Sequence, residues 1–349
     1  YDAEGAIGIV MNPKSGEILA ISSIPSFDPA NYKNYSSEII NRNLAIWSNF
    51  EPGSTFKIVT LASAINEGKV DIFKEHFYDS GSIKVANSTL HCWKRKGHGD
   101  ETFIQVVENS CNPGFVNLGQ RLGKETLFKY ITELGFGKKT GIDLNGEATG
   151  ILFNLDKVGP VELATTAFGQ GISVTALQQV TAVSAIVNGG TLYTPYIVSS
   201  VGDDSKSPVI KKENIITKET SDVVKYALES VVANGSGRNA YIENYRIGGK
   251  TGTAQKVGSD GRYMQGNYVL SFIGFMPADN PDYVMYIAID HAKGVTQYGG
   301  VVSAPIARNV FKDIISIHDI KEDTKGIPKS YRWDDIVYKM IPDVIGKTK

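Results

Sequence analysis

Cysteine is scarce in this sequence, because only Cys92 and Cys111 occur among its 349 residues. Two cysteines are too few for the disulfide framework that holds small secreted proteins together. Their number alone does not decide between an oxidising and a reducing compartment. A chain of this length can bury a large apolar core, so its stability does not need to come from cross-links.

Long apolar runs and an excess of charge of one sign are missing as well. The longest apolar runs, such as residues 283–289, are far shorter than the ~20 residues of a membrane-spanning helix. The formal net charge is -1, which gives no electrostatic reason to expect nucleic acid as a partner. The 42% of hydrophobic residues is ordinary for a globular domain. We expect the chain, which begins at Tyr1, to be a piece of a longer protein.

Strand patterns lie at both ends of the chain, and helical patterns lie between them. Two runs rich in β-branched residues, 6–11 and 17–22, flank an Asn-Pro-Lys-Ser-Gly turn and predict a β-hairpin. Helical patterns alternate with glycine-bounded loops from about 100 to 235, and a last helix is predicted at about 304–317. Three more strands are predicted at 246–254, 268–276 and 283–290. Together these patterns predict an α+β fold with one antiparallel sheet built from both chain ends.

The first candidate motif is Ser54-Thr55-Phe56-Lys57, which opens a strongly apolar predicted helix that ends at Glu67. Positions three apart share a helix face, so the Lys57 amine can reach the Ser54 hydroxyl. The helix dipole also favours negative charge that develops on Ser54. A serine hydroxyl needs such help, because it is a poor nucleophile until a base takes its proton. An isolated Ser-x-x-Lys is more often only a capping serine and a surface lysine.

The second candidate motif is Ser110-Cys111-Asn112, which lies 56 residues after Ser54. It offers a second hydroxyl for proton transfer and an amide that can hold a substrate carbonyl. Alone it is weak evidence, since Ser-x-Asn is a common loop sequence.

The third candidate motif is Lys250-Thr251-Gly252-Thr253, on a predicted strand. Thr251 and Thr253 project on the same side of an extended chain, where they can bind a substrate carboxylate next to the charge of Lys250. Gly252 leaves space for a ligand to approach the backbone. The alternative for this motif alone is a glycine-kinked edge strand.

The three motifs in this order are typical of penicillin-binding proteins and class A β-lactamases. Each motif also falls on the structure that its chemistry needs: a helix start, a loop and a strand. With these residues, the chain resembles the transpeptidase domain of class B penicillin-binding proteins, in their cell-division and sporulation branch. The resemblance covers about residues 3–316 and includes the segments 27–29, 41–43, 50–54, 92–93, 97–99, 109–113, 169–171 and 272–277, with Thr175 and Gln178.

The resemblance implies a role in acyl transfer for four of these residues. Ser54 would attack the penultimate D-alanine carbonyl of a stem peptide, and Lys57 would act as the base. Ser110 would relay the proton to the leaving D-alanine, and Lys250 would tune the Ser110 hydroxyl.

The resemblance also implies how the peptide is bound. Asn112 would hold the peptide, Thr251 and Thr253 would bind its terminal carboxylate, and Gly252 would complete the substrate-binding strand between them. The backbone N–H groups of Ser54 and Thr253 would form an oxyanion hole.

The implied fold is α+β, the penicillin-binding/β-lactamase-like transpeptidase fold: a five-stranded antiparallel sheet flanked by helices, plus an all-helical subdomain. We expect this domain to span residues 1–320. Residues 321–349 would be a linker leading into a truncated PASTA-like start, because residues 341–346 resemble the opening of that wall-binding module; a plain linker explains them equally well.

The family also implies a setting and partners. The expected partners are peptidoglycan stem peptides ending in D-Ala-D-Ala, β-lactams as inhibitors and a membrane glycosyltransferase of wall synthesis. The expected location is the extracytoplasmic face of the bacterial membrane, with an N-terminal anchor that is absent from this chain.

Three alternative functions share the same acylation machinery. A class A β-lactamase would carry a Glu-x-x-Leu-Asn loop, and this sequence has none. A D,D-carboxypeptidase would transfer the acyl group to water, and the sequence barely distinguishes it from a transpeptidase. A β-lactam sensor domain, from another functional class, would bind covalently without turnover and is usually coupled to membrane helices.

The cysteines and the residues between them predict a structural metal, Zn²⁺, beside the second motif. The proposed ligands are Cys92, His98, Asp100 and Cys111, which can complete a tetrahedral site. A metal there would fix the neighbours of Cys111, while the acyl-transfer chemistry itself needs no cofactor. His91 is an alternative ligand, although in an extended run its side chain points away from that of Cys92. Two free cysteines or a Cys92–Cys111 disulfide are the alternatives.

Overall fold

The computed structural model describes residues 1–258 and 260–329. Its strands are β1 Gly5–Met11, β2 Ile18–Ile24, β3 His76–Asp79, β4 Ser82–Val85, β5 Ser88–His91, β6 Gly99–Thr102, β7 Leu192–Tyr193, β8 Ser200–Val201, β9 Asp204–Ser205, β10 Ile210–Lys212, β11 Gly248–Val257, β12 Tyr263–Met276 and β13 Tyr283–Asp290. Its α-helices are α1 Ser37–Asn41, α2 Leu44–Trp47, α3 Lys57–Asn66, α4 Phe103–Glu108, α5 Asn112–Glu133, α6 Pro160–Thr166, α7 Ala176–Val187, α8 Lys218–Asn234 and α9 Gly299–Ile317. Short segments of 3-10 helix lie at Pro29–Asn34, Gly53–Thr55, Leu155–Lys157 and Arg238–Ala240.

The central sheet joins both ends of the chain, as the strand patterns predicted. Its order is β11-β12-β13-β1-β2, and every neighbouring pair is antiparallel. Helix α9 packs against β12 and β13, and α7 packs against β13 and β1. By this order, β11 is an edge strand, and it packs against α8 and the turn Gly53–Thr55.

Helix α3 is the buried centre of the helical region. The residues from Lys57 to Ala64 are all buried, because apolar or small side chains cover its whole circumference. It packs against α5, α8 and α7. The sequence predicted this helix from Ser54, but the structure places its first turn, Gly53–Thr55, in a 3-10 conformation.

Small two-stranded sheets, which the sequence analysis did not predict, interrupt the helical middle of the chain. The strands β3 and β6 pair, and β4 pairs with β5. These strands have four residues each and carry many polar side chains, as in Ser88–His91. Such short polar runs give too weak a period-two pattern to be recognised in the sequence.

The segment after α9 returns along the surface of the domain. The Asp323 N–H donates to Asn244 O at 2.8 Å, and the Ile327 N–H donates to Glu229 Oε1 at 3.2 Å. The predicted linker at 321–349 lies only partly in the described residues, and the PASTA-like segment 341–346 lies outside them. In the ranges that the structure describes, none of the helices is both long and apolar enough to cross a membrane.

Candidate active site

Ser54 lies in the 3-10 turn that leads into α3, next to the edge strand β11. The preceding residue, Gly53, has a φ of +54° and donates its N–H to Gly169 O at 2.9 Å. A Cβ atom on Gly53 would lie 3.2 Å from the Cβ of Ala254 in β11. Glycine therefore allows both the left-handed backbone and the close approach that brings Ser54 to the third motif.

Lys57 is fully buried, and its amine is directed at the second motif. Its Nζ donates to Asn112 Oδ1 at 2.6 Å, to the Ser110 carbonyl at 2.8 Å and to Ser110 Oγ at 3.2 Å. Asn112 in turn donates its Nδ2 to His91 O at 3.1 Å. Among the described residues, the hydrogen bonds of this amine go to the second motif rather than to Ser54. Such contacts are often looser in a free enzyme than in its substrate complex.

Ser110 connects the two buried lysines. Lys250 Nζ donates to Ser110 Oγ at 2.8 Å, so the two amines meet at one hydroxyl. The backbone of Ser110 is left-handed, with a φ of +53°, which costs a non-glycine residue ~1–3 kcal/mol. Hydrogen bonds from the Ser110 and Cys111 N–H groups to Val107 O and Val106 O hold this conformation. We refer to five residues as the lysine cluster: Ser54, Lys57, Ser110, Asn112 and Lys250.

Burial lowers the pKa of both lysine amines. Desolvation lowers the pKa of Lys57 to about 8, against the attraction of any thiolate at Cys111 or Cys92. Desolvation and then the charge of Lys57 hold the pKa of Lys250 well below its ordinary value. Since repulsion between like charges is mutual, the pair favours one protonated and one neutral amine at neutral pH. A proton can therefore move between them through Ser110 Oγ.

The third motif lines the flank of the site that faces α9. Thr251 and Thr253 project on the same side, as predicted: Thr251 Oγ1 lies 3.4 Å from Ser236 Oγ, and Thr253 Oγ1 accepts the Gly299 N–H at 3.1 Å. Thr253 is only partly buried, whereas Thr251 is buried.

Gly252 is required by packing inside the protein. A Cβ atom there would overlap Ser271 Oγ and would lie 3.0 Å from Thr55 Cγ2. The sequence analysis explained this glycine by the approach of a ligand. The structure adds a second reason, which is the contact between β11 and the turn that carries Ser54.

A second buried group of side chains lies directly behind Ser110. The ligand atoms of Asp79, Cys92, His98 and Cys111 all lie within 4.8 Å of one another, and we call these residues the cysteine cluster. His98 Nδ1 is 2.8 Å from Asp79 Oδ2 and 3.6 Å from Cys92 Sγ. Both cysteines are free, so no disulfide joins them. A hydrogen bond from Cys111 lowers the pKa of Cys92 to about 5, and the same contact raises the pKa of Cys111.

The prediction of Asp100 as a member of this group was wrong, and Asp79 stands in its place. The side chain of Asp100 is 66% exposed and pairs with His76 Nδ1 at 2.9 Å. On β6, Asp100 faces Tyr78 across the ladder, while Asp79 lies opposite Gly99 and is buried. Because Asp79 lies on another strand, 13 residues before Cys92, no short spacing pattern indicated it.

Sequence reasoning also missed a polar support next to the second motif. Asn109 Nδ2 donates to Glu101 Oε1, and Trp93 Nε1 donates to Asn109 O at 2.8 Å. Glu101 is buried, and desolvation raises its pKa. These contacts tie the residue before Ser110 to β6 and to the segment that carries Cys92.

Comparisons with known proteins agree with this geometry. The family model described as "Penicillin binding protein transpeptidase domain" matches residues 6–312. Stage V sporulation protein D of Bacillus subtilis is 56% identical over 353 aligned residues, which cover 99% of this chain and 54% of that protein. Penicillin-binding protein PbpB of Mycobacterium tuberculosis is 32% identical over 88% of this chain and 47% of its own length. The chain therefore spans about half the length of the curated relatives it matches.

Solved structures show the same fold. The apo form of penicillin-binding protein 3 from Mycobacterium tuberculosis has a TM-score of 0.85 at 29% identity, over 94% of this chain and 76% of that chain. The same protein in complex with aztreonam has a TM-score of 0.83. The predicted α+β fold with five antiparallel strands is thereby confirmed. By sequence and by fold, this chain belongs to the penicillin-binding protein transpeptidase family.

Proposed function

We propose that this chain is the catalytic domain of a serine-type D,D-transpeptidase that cross-links peptidoglycan stem peptides and is acylated by β-lactams. The observation that carries the proposal is the convergence of two buried lysine amines on Ser110 Oγ, beside the turn that presents Ser54. Burial lowers the pKa of Lys57 to about 8, so a far larger fraction of its amine is neutral and able to act as a base near neutral pH than for an exposed lysine.

In this proposal the first half-reaction forms an ester at Ser54. The neutral amine of Lys57 takes the Ser54 proton as Oγ attacks the penultimate D-alanine carbonyl. The backbone N–H groups of Ser54 and Thr253 stabilise the oxyanion. Ser110 passes a proton to the nitrogen of the leaving D-alanine, and the Lys57 ammonium, 3.2 Å from Ser110 Oγ, replaces that proton with the one taken from Ser54. Lys250 tunes the Ser110 hydroxyl through its own hydrogen bond to Oγ.

The binding residues orient the donor peptide. Thr251 and Thr253 bind the terminal carboxylate with the support of Lys250, and Gly252 keeps this part of β11 against the Ser54 turn. Asn112 holds the peptide through its side-chain amide, which the Lys57 amine and His91 O keep in place.

Covalent labelling of Ser54 tests this function. After incubation with benzylpenicillin, intact-mass spectrometry should show the mass of one penicilloyl group, and Ser54→Ala should show none. The exposed serine variant Ser205→Ala is the control and should label normally. A full adduct in Ser54→Ala would overturn the assignment. Rapid turnover of nitrocefin would indicate a β-lactamase, and release of free D-alanine without cross-linking would indicate a carboxypeptidase.

We also propose that the cysteine cluster binds a structural Zn²⁺ through Asp79, Cys92, His98 and Cys111. Two thiolates, an imidazole and a carboxylate form a complete set of four protein ligands, which is typical of structural zinc sites. Asp79, Cys92 and Cys111 are almost fully buried, so that carboxylate and thiols have little access to water. When bound, the metal would neutralise their charge.

The position of Cys111 gives such a site a consequence for catalysis. Cys111 lies between Ser110 and Asn112, and Ser110 has a backbone conformation that costs free energy. Fixing Cys111 would therefore hold the two polar residues of the second motif in place.

Metal analysis tests the zinc proposal. Protein purified without chelator should contain near-stoichiometric zinc, and its melting temperature should fall in EDTA. Metal-free protein with a melting curve that EDTA does not change would leave the two cysteines as buried free thiols.

The remaining proposals concern the setting of the domain. We place it on the extracytoplasmic face of the bacterial membrane, anchored by a segment outside this chain, with a membrane glycosyltransferase as partner. Support comes from the names of its relatives, among them a sporulation protein and several D,D-transpeptidases. Fluorescent penicillin labelling of intact cells, with and without the gene, would test the location.

A further inference from the structure

A cavity of about 180 Å³ lies between the central sheet and the segment 44–51. On the sheet side it is lined by Ala254 and Lys256 of β11, and on the other side by Glu51. Ala254 directly follows Thr253, and Glu51 precedes Ser54 by three residues. The cavity therefore begins where the proposed substrate-binding residues end.

The direction of a bound donor peptide follows from the burial of β11. A peptide can add to this edge strand through main-chain hydrogen bonds, with its terminal carboxylate at Thr251 and Thr253. Residues 248–252 are buried, and the strand becomes more exposed from Thr253 to Val257, so the rest of the peptide runs toward the end of the strand. It must run toward Ala254 and Lys256. At ~3.3 Å per residue, the residue that precedes the terminal dipeptide then reaches the cavity.

Glu51 places a negative charge in this cavity. Its Oε1 accepts the Gly171 N–H at 2.7 Å, and the Tyr263 hydroxyl lies 3.2 Å from both carboxylate oxygens. Both partners are neutral, and no cation in residues 1–258 or 260–329 forms an ion pair with Glu51. Desolvation raises the pKa of this half-buried carboxyl, so an arriving cation would find a poorly compensated charge.

The other charges of the cavity already have partners. Lys256 Nζ lies 2.8 Å from Asp290 Oδ1 and 3.1 Å from Glu4 Oε2. Glu51 is thus the acidic group in the lining that is held in place only by neutral donors. Its two hydrogen bonds fix the carboxylate before a ligand binds, which lowers the entropic cost of recognition.

We propose that Glu51 binds the amino group at the end of the side chain of the stem-peptide residue that precedes D-Ala-D-Ala, and so selects donors with a diamino acid there. The reach of the peptide along β11, the cavity beside Ala254 and the fixed carboxylate point to the same ligand group. The inference rests on the proposed transpeptidase function and assigns Glu51 as a specificity-determining residue of that site.

Two peptide thioester donors that differ in one group test the proposal. One is Nα-acetyl-lysyl-D-alanyl thioester with a free ε-amine, and the other carries an acetylated ε-amine. Acylation of Ser54 is followed by intact-mass spectrometry. In the unmodified protein the free amine should react about tenfold faster, which corresponds to a hydrogen bond with a charged group.

Variants of Glu51 identify the carboxylate as the source of this preference. Glu51→Gln should react equally with both donors, Glu51→Asp should keep part of the preference, and the exposed control Glu219→Gln should keep all of it. Benzylpenicillin, which has no amino group in its side chain, should acylate Glu219→Gln as it acylates the unmodified protein, and each Glu51 variant is judged by the ratio of its rates with the two donors.

Two outcomes would overturn the proposal. Equal rates for the two donors in the unmodified protein, with normal penicillin labelling, would remove the role of Glu51 and leave the transpeptidase function intact. A preference that survives in Glu51→Gln would assign the amine to another group. Failure of penicillin and both donors to acylate Ser54 would instead count against the proposed function, on which this inference depends.

Discussion

The lysine cluster and the cysteine cluster are neighbours, but they differ in charge and in how the sequence encodes them. They share the segment 110–112: Ser110 and Asn112 belong to the first, and Cys111 belongs to the second. The first brings two amines onto one hydroxyl, and the second brings two thiols, an imidazole and a carboxylate together. One turn of backbone therefore presents its outer residues to the two buried amines and its middle residue to a candidate metal site.

We assign the acyl-transfer chemistry to the lysine cluster and the structural support of the second motif to the cysteine cluster. In the lysine cluster, burial lowers the pKa of each amine, and that shift is the property that catalysis needs. In the cysteine cluster the same burial would be costly without a compensating cation. We infer that the two clusters have separate functions that are coupled through the backbone of residues 110–112 and through the charge of any thiolate at Cys92 or Cys111 near Lys57. The predictions below test that coupling.

The largest effect is expected from Lys57→Met. The variant fills the same space but removes the base, so acylation of Ser54 should fall by ~10²–10⁴-fold. Stability should change little, because relief of the desolvation of the amine is offset by the loss of its hydrogen bonds to Ser110 and Asn112. Stopped-flow acylation by a chromogenic β-lactam and a melting curve measure the two quantities. The metal content should stay the same, and loss of metal in this variant would show that the clusters are not separate.

The reverse experiment is Cys92→Ala, which alters the cysteine cluster without touching the Ser110–Asn112 motif. Metal should be lost. The melting temperature should fall by about 5 °C, which corresponds to a loss of ~2 kcal/mol in the free energy of unfolding. Acylation should fall by about tenfold, since the second motif loses its support. Normal acylation in metal-free Cys92→Ala would break the proposed coupling.

A smaller effect is expected in the pH dependence of the acylation rate, which Lys57 of the lysine cluster should control. Burial lowers the pKa of Lys57 to about 8, and the base must be neutral to take the Ser54 proton. The acylation rate should therefore rise with pH, by roughly tenfold per unit below this pKa, and level off above it. A rate profile measured from about pH 6 to about pH 9 checks the direction. A rate that falls with rising pH would indicate that the protonated amine is the active form.

The same contrast explains what the sequence could predict. The lysine cluster is encoded in three short motifs with fixed internal spacing, and the structure brings all three together. The central sheet was predictable because long β-rich runs stand at both ends of the chain. Asp79 and the small hairpins were not, since their positions depend on the pairing of β3 with β6, which joins residues about 20 apart through short polar strands.

The smallest effect is expected from Asp100→Asn, the residue that the sequence wrongly placed among the metal ligands. Its carboxylate is mostly exposed and pairs with a surface histidine, His76. Exposed ion pairs contribute ~0–1 kcal/mol, so melting temperature, metal content and acylation should all stay close to those of the unmodified protein. The matched variant Asp79→Asn removes the same charge from a buried carboxylate beside His98 and should lower both metal content and stability. If instead Asp100→Asn lost metal and Asp79→Asn kept it, the ligand set drawn from this structure would be wrong.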